Sequence, residues 1–77
     1  MKGKLQTSRP QLLTPQQIPV GRWFIPSSNI TNEFVFPHLK VGGTTYWSQQ
    51  SQCLRGVELL DGLYHLVEPV GLEWRLA

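Results

Sequence analysis

Apolar residues are scattered through the first nineteen positions and then gather into short runs separated by turn-forming residues, the pattern of hairpins rather than of long helices. Val20 to Ile25 and Glu33 to Val41 are rich in aromatic and β-branched residues, with the turn-forming cluster Pro26 to Asn32 between them. Two strands joined by a turn are predicted. Val41-Gly42-Gly43-Thr44 then leads into Thr45-Tyr46-Trp47, with two glycines free to take the positive φ of a tight turn.

Ser48 to Leu60 admits two readings. Cys53, Leu54, Val57 and Leu60 recur at helical spacing after a Ser48 cap, with Gly62 as the residue beyond the helix end. Alternatively Val57 to Leu60 pairs with Leu63 to Val67 across Asp61-Gly62, a preferred two-residue hairpin turn. Gly56 weakens the helix, so the hairpin is favoured, after one helical turn near Gln49 to Leu54. At the end, Leu72, Trp74 and Leu76 alternate with Glu73 and Arg75, a strand with one apolar and one charged face. Pro69 and Gly71 separate it from the preceding run.

Residues 1–19 hold Pro10, Pro15 and Pro19 and four of the seven glutamines, and read as an extended arm. Within it, Thr14-Pro15-Gln16-Gln17 has the grammar of a helix start: an N-cap residue, proline at the first position and glutamine at the third. Pro19 limits it to about one turn. The expected fold is mainly β, a small single-domain meander or partly closed barrel of short hairpins over residues 20–77, with at most one or two short helical turns. A winged helix is the alternative.

Composition narrows the function classes. Seventy-seven residues support one core, and a chain this short buries only roughly 60–65% of its unfolded surface, so it gains from a staple or a partner. Cys53 is the only cysteine and cannot form an internal disulfide, and no Cys/His spacing suits zinc. The start of the chain lacks the apolar segment of a signal peptide, and no run approaches the ~20 apolar residues of a membrane span. A cytoplasmic location is expected, inside a host cell or virion included.

Charge is uneven. Residues 1–32 carry Lys2, Lys4, Arg9 and Arg22 without an acid, whereas residues 33–77 carry three basic residues and five acids. An unopposed basic end suits phosphates or the acidic half of a neighbouring copy, and equally reads as a solvated basic tail.

Catalysis would need Cys53 activated by His38 or His65 and oriented by a carboxylate such as Asp61, and nothing in the spacing brings these together. A cysteine beside leucine reads as a small core residue. Gly42-Gly43 lacks the residues of a phosphate loop. No enzyme activity, cofactor, metal or small-molecule substrate is therefore expected. Trp23, Trp47 and Trp74, with three phenylalanines and two tyrosines, exceed what a small core holds, so some rings reach the surface; one reading has most of them filling the core, the other has exposed rings as interface anchors or base-stacking platforms.

The stretch Phe36-Pro37-His38-Leu39-Lys40-Val41-Gly42-Gly43-Thr44-Thr45-Tyr46-Trp47 resembles the wing hairpin of small excisionase-like and MerR-like DNA-binding proteins, and Leu12-Leu13-Thr14-Pro15-Gln16-Gln17 is similar to the opening of their first helix. The resemblance implies a phage or mobile-element protein that binds DNA, with Lys40 and Thr44 at the wing meeting the backbone or minor groove. Pro19 and Pro26 interrupt the span where that family has its helix-turn-helix, so no recognition helix is assigned.

Two functions follow as expectations. The first is a DNA-binding accessory factor of phage or mobile-element type, using Lys2, Lys4, Arg9, Arg22, Trp23, Lys40, Thr44 and Trp47. The second is a structural or adaptor protein making protein–protein contacts, self-association included, in a viral or multisubunit assembly through the same residues.

Overall fold

A computed structural model of the chain describes residues 11–29 and 35–77. Six strands form one open antiparallel sheet: β1 (Trp23–Pro26), β2 (His38–Lys40), β3 (Thr45–Ser48), β4 (Cys53–Gly56), β5 (Tyr64–Val70) and β6 (Glu73–Leu76). Their order across the sheet is β4-β3-β2-β1-β5-β6. The first four are a meander, and the β5–β6 hairpin joins on the far side of β1. Three-residue 3-10 turns at Pro15–Gln17, Ser27–Asn29 and Val57–Leu59 are the only helical pieces among the described residues, so the fold is mainly β and holds no recognition helix there.

The β2–β3 hairpin forms where it was expected, but its turn is built differently. Thr45 N–H donates to Gly42 O, and neither Gly42 nor Gly43 takes a positive φ. In the β5–β6 hairpin the turn is Gly71-Leu72, with Gly71 at φ +63°, as a turn with glycine at its first central position requires. β5 therefore runs through Pro69, which pairs with Trp74. Its missing donor is harmless. Backbone groups alternate sides along a strand, and Leu66 O accepts from Ala77 N–H on the β6 side. Pro69 accordingly faces the β1 side, beyond the last paired residue of β1, Trp23.

Both readings of residues 48–60 are corrected. Gln49 to Gln52 is the turn between β3 and β4, in which Ser51 N–H donates to Ser48 Oγ and Gln52 N–H to Ser48 O, with Gln52 at φ +57°. Cys53–Gly56 is a strand paired to β3, and Val57–Leu59 is a 3-10 turn that buries Val57. Gly62 does adopt a positive φ, +83°, but it turns the chain into β5 rather than joining two paired strands.

The core lies on one face of the sheet. Phe24 of β1, Tyr46 of β3 and Tyr64 of β5 meet Leu13, Ile18 and Val57, with Leu60 and Leu66 packed alongside. Phe24 is fully buried and meets Tyr64 (centroids 5.4 Å), Tyr46 (6.1 Å) and His38 (5.4 Å) edge to face. Residues 13–18 thus belong to the core, although they were read as part of the arm. Leu13 exchanges two backbone hydrogen bonds with Tyr64, and Gln17 Oε1 accepts from Thr14 N–H, as the capping grammar required. Residues 1–10 of the arm lie outside the described residues.

Candidate functional site

Strand registers decide which side chains share the face opposite the core. Leu54 of β4 stands opposite Trp47, Trp47 opposite Leu39, Leu39 opposite Trp23, Trp23 opposite Val67, and Val67 opposite Leu76. One unbroken apolar row therefore crosses all six strands. Ile25, His65, Pro69 and Trp74 share the same face by alternation, as do Thr45 and Gly56. Every charged residue of the strands, namely Lys40, Arg55, Glu68, Glu73 and Arg75, is on the core side instead. A sheet with one solvated face ordinarily alternates apolar-in and polar-out. Here the face away from the core carries no Asp, Glu, Lys or Arg in any strand.

Exposure along this face is graded. Ile25, His65 and Val67 are buried, and the Trp23 and Trp74 rings, 5.1 Å apart and tilted by 56°, meet across β5 and shield Val67. Leu39, Trp23, Trp47 and Trp74 are half-buried, and Leu54 at the β4 rim is 61% exposed. Trp23 and Trp47 are thus brought onto one surface. The sequence reading missed Leu39, Leu54 and Val67, because their place beside the tryptophans depends on strand order. Trp74 and Leu76 were signalled by the terminal alternation alone.

The basic residues are not gathered there. Lys40 is corrected outright: it is 1% exposed, and its Nζ donates to Pro15 O (2.9 Å) and Ile18 O (2.8 Å). Burial lowers its pKa below the ordinary 10.5. Its ammonium is spent on the carbonyl end of the Pro15–Gln17 turn, as cations cap helix ends, and is out of reach of a phosphate. Thr44 is exposed beside Gly43, with its carbonyl accepting from Val57 N–H. Arg22 is exposed, and Lys40 N–H donates to its carbonyl, so alternation puts its side chain on the opposite side of the sheet from Trp23. Lys2, Lys4 and Arg9 lie outside the described residues. Exposed Arg22, Arg55 and Arg75 are matched by exposed Glu58, Asp61, Glu68 and Glu73.

Cys53 is exposed on β4 rather than buried. It stands across Ser48 from His38, two strand spacings or roughly 10 Å away, so thiol and imidazole do not meet. No group of three or more His, Cys, Asp or Glu is placed to hold a metal among the described residues, and no helix among them is long and apolar enough to cross a membrane.

His38 packs against Phe24 and, at 5.0 Å, Tyr46, and its Nδ1 has no hydrogen-bond partner among the described residues. Burial lowers its pKa below 6.5. The unfolded chain therefore binds this proton more readily than the folded one, and stability falls as pH drops through the window just below 6.5. Urea midpoints should decrease between about pH 7 and about pH 5.5, and His38→Phe, which keeps the ring packing, should flatten that limb. An unchanged slope in the variant would locate the titration elsewhere.

Comparison of the chain with known protein families, with curated proteins and with solved structures finds no match.

Proposed function

We propose that this protein is a non-enzymatic structural or adaptor module that makes protein–protein contacts in an assembly, with the face carrying Leu54, Trp47, Leu39 and Trp23 as its contact surface. One observation carries this reading: that face has an apolar row across every strand and no charged strand residue on it. Contiguous apolar surface of this kind marks interaction sites, and tryptophans are the residues most often found as interface anchors. A single-stranded nucleic acid would stack on the same rings, but such sites combine rings with a positively charged groove. The exposed arginines of the sheet are on its other face.

The test is a titration of tryptophan fluorescence with a DNA duplex and a single strand at several salt concentrations, with light scattering on the same samples. The expected result is no salt-sensitive quenching, a mass above the monomer, and a lower mass for Leu54→Asp, which sets a charge into the uncharged face. Quenching that weakens steeply with salt would report phosphate contacts and favour a DNA-binding accessory role instead.

A further inference from the structure

Among the described residues the sheet has two open edges, β4 and β6, and they are not equivalent. Along β6, Ala77 N–H donates to Leu66 O on β5, and Arg75 and Glu73 pair with Glu68 and Val70. Odd-numbered residues therefore turn their backbone groups toward β5, and alternation turns those of Trp74 and Leu76 to the free edge. Glu73–Leu76 is short and carries Glu73 and Arg75, but it has no proline, no lysine and no positive φ to block pairing along its free side. Leu72, in the turn that precedes it, is fully exposed.

We propose that two copies of this chain pair through β6, antiparallel about a two-fold axis at Trp74, extending the sheet from one copy into the next. The sequence of β6 selects that register. Hydrogen bonding across the edge requires outward residues to face outward residues. With Trp74 opposite Trp74 of the second copy, Leu76 reaches the Gly71-Leu72 turn of the second copy, and Glu73 faces Arg75 of the second copy on the other side of the sheet, twice by symmetry. Shifting two residues one way sets Glu73 opposite itself, and two the other way sets Arg75 opposite itself, and like charges directly opposite are unfavourable. β4 offers no equivalent: the register that joins its two outward residues, Leu54 and Gly56, places Arg55 against Arg55 of the second copy. The pairing uses the edge and not the uncharged face, so it stands apart from the function proposed above.

Sedimentation velocity on the full chain over a concentration series, combined with amide exchange by NMR, tests it. The wild type should dimerise, with Trp74 and Leu76 amides exchanging more slowly as the dimer fills. Glu73→Arg should weaken the dimer by about tenfold or more. Glu68→Arg/Arg75→Glu, which keeps the pair with β5 complementary, should weaken it similarly, and mixing the two variants should restore association. Restoration by mixing also shows that neither variant had simply unfolded. A monomer throughout, a dimer without slowed exchange at Trp74 and Leu76, or a mixture that fails to associate would each overturn the pairing. So would growth beyond dimers with slowed exchange at Leu54, which would be β4-to-β6 stacking. A dimer weakened by Leu54→Asp and indifferent to Glu73→Arg would overturn it while leaving the proposed face intact.

Discussion

Lys40→Ala should lower the stability of the fold by about 3–5 kcal/mol, a large part of what a domain of this size possesses. The side chain reaches from β2 to two carbonyls of the 13–18 segment, and both are buried hydrogen bonds. Bonds to a charged donor contribute ~1.5–3 kcal/mol each, and removing the donor also leaves Pro15 O and Ile18 O without it. Against this stands the cost of holding an ammonium out of water, seen in its lowered pKa. Lys40→Met keeps the stem and relieves that cost, so it should lose only about 2–3 kcal/mol. Urea unfolding monitored by tryptophan fluorescence measures both. The loss should be felt first at the Leu13–Tyr64 backbone pair, whose amide exchange should accelerate ahead of the β2–β3 hairpin. Equal losses in the two variants would mean that the stem rather than the ammonium holds the segment.

Phe24→Ala should cost about 3–5 kcal/mol, the range for deleting a buried aromatic ring. Phe24 is in edge-to-face contact with both Tyr46 and Tyr64, so the cavity would open between the meander and the β5–β6 hairpin. Phe24→Leu, closer in volume, should lose about 1.5 kcal/mol. At ~4–8 °C per kcal/mol for a chain of this length, the leucine variant should melt roughly 6–12 °C below the wild type, and the alanine variant should have little folded population at room temperature. A loss under about 1 kcal/mol for alanine would show that the two tyrosines close over the gap.

What the sequence discloses is what depends on neighbours along the chain. The Thr14-to-Gln17 cap, the hairpin around Gly42-Gly43 and the alternation of Leu72 to Leu76 are each local, and each forms. β4 escaped because Cys53-Leu54-Arg55-Gly56 is an edge strand exposed on most of its length, with no apolar period of its own; its pairing with β3 comes from the turn at Gln49 to Gln52. Asp61-Gly62 misled because a turn dipeptide specifies a bend and not which segments pair after it. Lys40 escaped for another reason. A lysine between Leu39 and Val41 reads as a solvated strand residue, and the carbonyls that bury it lie 22 and 25 positions upstream. The charge-free face is the extreme case: its residues come from six strands, and only their order reveals that they form one row.

The placement of β5 beside β1 also bears on how the chain folds. Within β1 to β4, each strand pairs with the next, and β5 pairs with β6 across a two-residue turn, so both pieces assemble from contacts close in sequence. Joining them is different: Trp23 pairs with Val67 and Pro26 with Tyr64, which closes a loop of some forty residues. Loop-closure entropy must be met before these contacts repay it, and non-local pairing of this kind slows folding. The β1–β5 junction is therefore the step expected to set the refolding rate. Until it closes, Trp23 and Trp74 cannot meet, and contact between those two rings marks the moment at which the two halves become one sheet.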